Sequence, residues 1–194
     1  TKVGKELDSL TDVISFGVAP GFIMYFWALN EIGKFGWLLV LIYSVCCALR
    51  LARFNLMVIE ENESWKINFF EGVPSPAAAG LVLLPLILNL SGLMEFTNNV
   101  NLSAATILIT SILMVSKIPT YSLKRILIPR NLAIFLLLGI GVYLSLLLFY
   151  TFQTLFFSGL IYLFLIPVSY FHFRYKNKKI ISEKINEQET EDIL

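Results

Sequence analysis

Gly4, Asp8 and Asp12 stand four residues apart, and an apolar run from Val13 to Leu29 follows them directly. Two carboxylates therefore sit at the mouth of a membrane-length segment. On a helix that spacing puts both on one face, about one turn apart. Like charges so placed disfavour the helix mildly, and a charge near hydrocarbon costs more. A divalent cation shared between carboxylate oxygens would offset that cost. The alternative is that Asp8 and Asp12 are first-turn acids favoured by the helix dipole, with Lys5 as a neighbour. A second pair with chemical potential is Arg50 and Arg53, at i and i+3 on one helical face near the end of an apolar segment. Planar guanidinium groups bind phosphate or carboxylate bidentately. Their plainer role is to reach lipid headgroups and mark topology.

The elements that must position these groups are membrane helices. The chain is 57 % hydrophobic and only 15 % charged, with sixteen Phe. Its mean hydropathy of +0.74 excludes an ordinary soluble domain. About 20 apolar residues span a bilayer as a helix. The spans expected are 6–29, 36–57, 76–93, 102–118, 131–151 and 154–173. The fold class is all-α: a polytopic transmembrane helical bundle of about six spans, over residues 1–173. A charged cytoplasmic tail follows at 174–194. Pro20-Gly21 is the expected kink of the first span, and Gly139-x-Gly141 a site for close helix approach. Adjacent Cys46 and Cys47 suit packing rather than a disulfide.

Alternating six spans puts both chain ends and the 58–73 and 119–130 loops on one side. That side holds all but Lys34 of the fifteen Lys and Arg. The positive-inside rule makes it cytoplasmic, with the aspartates and arginines beside it. Lys117, Lys124, Arg125 and Arg130 read as headgroup contacts, and lone His172 has no second ligand-type residue near it. The basic run after Arg174 belongs to a lipid surface rather than nucleic acid.

Gly-x-x-x-Asp-x-x-x-Asp at 4, 8 and 12 resembles the second half of the CDP-alcohol phosphotransferase motif, D-x-x-D-G-x-x-A-R followed by G-x-x-x-D-x-x-x-D. The wording from Gly4 to Pro20, Ala48 to Asn55 and Phe69 to Ala77 resembles the bacterial phosphatidylserine synthases of that family. This likeness covers about residues 1–90; the remainder matches only as hydrophobic helices. The resemblance implies transfer of a phosphatidyl group from CDP-diacylglycerol to the hydroxyl of L-serine, releasing CMP. It also implies a divalent metal, Mg or Mn. By motif position, Asp8 is a metal ligand, Asp12 a ligand and the base, and Gly4 the nucleotide-side glycine. Arg50 and Arg53 are the candidates for substrate phosphate or carboxylate. The partners expected are CDP-diacylglycerol, L-serine and membrane lipids, with a homodimer as the candidate assembly and a bacterial inner membrane as the location. The alternatives are another acceptor alcohol (glycerol phosphate, inositol phosphate or choline) or a non-enzymatic bundle or transporter. A transporter would be expected to carry its polar groups near the bilayer midplane. The first half-motif does not occur here, and the chain starts at Thr1. The expectation is that it lies upstream with half of the implied metal ligands, so that this segment alone is inactive.

Overall fold

A computed structural model describes residues 2–57, 69–93, 99–116, 119–121 and 130–170. Its helices are α1 (Lys2–Val13), α2 (Ala19–Trp27), α3 (Lys34–Met57), α4 (Ser75–Val82), α5 (Leu84–Leu90), α6 (Val100–Val115), α7 (Arg130–Phe149) and α8 (Thr151–Tyr170). They occupy the six expected segments and form a helical membrane bundle. Glu6–Trp27, Lys34–Asn55 and Thr151–Tyr170 are each long and apolar enough to cross a membrane. α6, with 16 residues, reaches only about 24 Å against a hydrocarbon core of about 30 Å.

The first span bends one turn before the expected Pro20-Gly21 kink. Ile14–Val18 forms a π-helical turn, closed by the Ala19 N–H donating to the Ile14 carbonyl. Proline has no N–H, so Pro20 cannot donate to the carbonyl of Phe16, four residues back. The Tyr43 hydroxyl on α3 donates to that carbonyl instead, at 2.7 Å. A buried backbone acceptor is thereby satisfied from the neighbouring helix. The third expected span is split at Leu83 into α4 and α5, with Pro85 at the start of α5.

The core lies between α2, α3, α4 and α6, around Met24, Val40, Tyr43, Cys47, Val82, Ile107 and Met114. α8 adds Ile166 to it and packs Gly159 tightly against Leu84. α7 is mostly exposed along its described length, and no atom lies within 4 Å of a Cβ built at Gly139 or Gly141. The expected close approach at that glycine pair therefore does not occur among the described residues.

A short antiparallel pairing joins β1 (Phe69–Glu71) to β2 (Pro119–Tyr121), with Phe70 opposite Thr120. It ties the segment before α4 to the segment after α6, so the C-terminal ends of α3 and α6 and the N-terminal end of α4 meet at one end of the bundle. Gly72 follows with φ of +75°, and a Cβ there would lie 2.7 Å from the Met114 carbonyl oxygen. Only glycine tolerates both conditions. Lys66, Lys117, Lys124, Arg125, His172 and the 174–194 tail lie outside the described residues.

Candidate active site

α1 carries Gly4, Asp8 and Asp12, with Asp8 exposed and Asp12 half-buried. Its position against α3 is held at two levels. Near the end of α3, the Asn55 side-chain amide donates to the Ser9 hydroxyl at 2.9 Å. Deeper in, Gly17 lets the backbones approach: a Cβ there would meet the Cys47 Cβ at 3.0 Å and its Sγ at 3.2 Å. Cys46 and Cys47 are free thiols, and Cys47 is a buried packing residue, as the sequence suggested.

This contact sets the depth of Asp12 relative to α3, which yields a stability prediction. Gly17→Val should destabilise the protein by about 1–3 kcal/mol, the usual cost of overpacking. Gly80, helical with open space around it, should accept Ala with no loss and a gain of up to about 1 kcal/mol. Thermal unfolding of both variants in the same detergent checks the contrast. Equal midpoints would remove Gly17 from the helix contact.

Arg50 is 9 % exposed, inside the bundle. One of its terminal nitrogens, Nη1, donates to the Ser75 hydroxyl at 2.8 Å. Ser75 is itself buried at the start of α4, just after Pro74. Among the described residues, the Arg50 Nε is buried with no hydrogen-bond partner, and so is the Tyr162 hydroxyl on α8. Asp12 and Tyr162 both lie within electrostatic reach of the guanidinium. A buried donor left unmatched costs about 1–3 kcal/mol, and more when charged. Asp12, Arg50, Ser75 and Tyr162 are therefore a polar cluster with unfilled donor capacity in an apolar bundle.

Arg53 is directed elsewhere. Its Nη1 donates to the Val115 carbonyl at 2.9 Å, at the C-terminal end of α6, where a cation favours the helix dipole. The two arginines share a helix but differ in surroundings: one is enclosed by three helices, the other caps a fourth. Sequence reasoning paired them because it sees helical spacing and not neighbours. It also missed Tyr162, an aromatic residue in an apolar span with no local signal. Ser75 lay within a noted stretch, Gly-Val-Pro-Ser-Pro, but no partner could be assigned to it.

Residues 1–171 match the sequence profile of the CDP-alcohol phosphatidyltransferase family. The chain belongs to that family. Similar proteins include the CDP-diacylglycerol–serine O-phosphatidyltransferases of Mycobacterium bovis, Helicobacter pylori and Bacillus subtilis. The M. bovis protein is 34 % identical over 143 residues, covering 73 % of this chain and 50 % of the relative. The H. pylori protein is 38 % identical over 146 residues, covering 75 % and 58 %. The B. subtilis protein is 40 % identical over 123 residues, covering 63 % and 61 %. The chain thus spans about half the length of several curated relatives it matches. The family is generally dependent on a divalent metal. Two carboxylates a turn apart on one helix face supply the hard oxygen donors such a cation prefers. Among the described residues no third Asp, Glu, His or Cys joins them. Asp8 and Asp12 therefore offer oxygen donors that fit the chemistry of such an ion.

Proposed function

We propose that this chain carries the transfer site of a CDP-diacylglycerol–serine O-phosphatidyltransferase, a phosphatidylserine synthase of phospholipid biosynthesis. The observation that carries this reading is the placement of the Gly4-Asp8-Asp12 helix beside the buried Arg50 guanidinium. The names of the relatives support serine as the acceptor. In the reaction, the serine hydroxyl oxygen bonds to the phosphatidyl phosphorus. The bond from that phosphorus to the CMP oxygen breaks, and CMP leaves.

Asp8 and Asp12 would hold Mg or Mn, which when bound neutralises charge on the pyrophosphate. Asp12, half-buried and within electrostatic reach of Arg50, takes the hydroxyl proton directly or through one water. Gly4, with no side chain, lets the nucleotide approach α1. Arg50 binds a substrate phosphate or carboxylate through N–H groups not used by Ser75. Arg53 offers its remaining donors near the exposed end of α3. The lysine and arginine distribution supports a cytoplasmic orientation for this end of the bundle and both ends of this segment, and the bacterial relatives support an inner-membrane location. A homodimer is the assembly we assign.

Purified whole protein in detergent with CDP-diacylglycerol, labelled L-serine and a divalent cation should form labelled phosphatidylserine and equimolar CMP. Faster transfer to glycerol phosphate or inositol phosphate than to serine would overturn the acceptor assignment. No CMP release with any alcohol would overturn the reading altogether.

A further inference from the structure

The inward face of α8 reads Gly159, Tyr162, Ile166 and Ser169, spaced at three and four residues. Gly159 meets Leu84, while Ile166 and Ser169 are buried. Tyr162 belongs to this packed face, so its ring is held in place. Its hydroxyl, however, has no partner among the described residues, although buried tyrosine hydroxyls usually find one. The Arg50 Nε has none either. The rest of that guanidinium is anchored by Ser75. Two buried donors thus stand unmatched, each within electrostatic reach of the other. What complements a guanidinium N–H together with a phenol O–H is an anionic oxygen.

We propose that Arg50 and Tyr162 jointly bind one substrate oxyanion, a carboxylate or a phosphate, making Tyr162 a specificity-determining residue contributed by α8. This rests on the transfer function proposed above and deepens it by naming the second donor. The site is then completed only when the last described helix packs against α5 and brings Tyr162 within electrostatic reach of Arg50. Both of its ligand sources present the same chemistry: the serine carboxylate from the acceptor, or a phosphate oxygen from the donor.

The test is Tyr162→Phe in the whole protein, which removes one hydroxyl and keeps the ring that packs against the core. Losing a hydrogen bond to a charged group should raise one substrate's KM roughly tenfold to hundredfold. A rise for L-serine identifies the carboxylate, and a rise for CDP-diacylglycerol identifies the phosphate. Arg50→Lys should raise the KM of the same substrate, and the double variant should fall short of the product of the two effects. Calorimetric titration with L-serine and with CMP gives a readout that needs no turnover, so it stands apart from the transfer assay. Wild-type affinity for both ligands in Tyr162→Phe, or a lowered melting temperature with unchanged affinities, would overturn the proposal. So would effects of the two single variants on different substrates.

Discussion

Asp12→Asn is expected to reduce serine transfer by about 100- to 10,000-fold, the range typical for loss of a general base. Asparagine has nearly the same shape but accepts no proton at neutral pH. The substitution also removes a negative charge near the buried Arg50, so folding must be followed separately. Asp12 is only half-buried, and no hydrogen bond to it is found among the described residues. The helix should therefore form as before. The structure removes the first-turn alternative, since Asp12 lies in the last turn of α1. Were it only a solvated acid there, its loss would change stability by about 0.5 kcal/mol or less and leave turnover intact. Purified Asp12→Asn protein with a wild-type melting temperature and near-normal turnover would remove Asp12 from the chemistry.

Stripping divalent cations with a chelator should abolish turnover, and added Mg or Mn should restore it. The role of Asp8 is read in the restoration. Asp8→Asn should raise the cation concentration needed for half-maximal activity by at least about tenfold to a hundredfold, the penalty seen even for outer-shell metal partners. Asp8 is exposed on α1, so its substitution should cost little stability, unlike a change at Gly17. Mn binding followed by electron paramagnetic resonance measures the same loss without turnover. Unchanged Mn affinity in Asp8→Asn would exclude Asp8 as a ligand. Full activity in chelator would exclude a metal from the reaction.

Both predictions come from residues that are near one another in sequence, which is why the sequence alone could nominate them. The four-residue spacing of Gly4, Asp8 and Asp12 fixes their common face once the segment is helical. The apolar content of the flanking run fixes that it is helical in a membrane, because lipid leaves backbone groups no partner outside the helix. The same reasoning located the six helical segments, since hydrophobicity over about 20 residues needs no knowledge of neighbours.

Contacts between distant segments were decided by the tertiary structure. Pro20 marked a disturbed turn, but only the position of Tyr43 shows that the freed Phe16 carbonyl is satisfied across helices. Gly139-x-Gly141 has the composition of a packing site and meets no neighbour among the described residues, whereas Gly17 packs against Cys47. Arg50 and Arg53 are equivalent by helical period. Packing sends one to Ser75 in the interior and the other to the end of α6. Tyr162 gains its candidate role from an unmatched hydroxyl within electrostatic reach of a guanidinium on another helix. Local periodicity determines which face of a helix a side chain occupies. What that face meets depends on how helices remote in sequence pack, and there the donors of Arg50 and Tyr162 acquire their meaning.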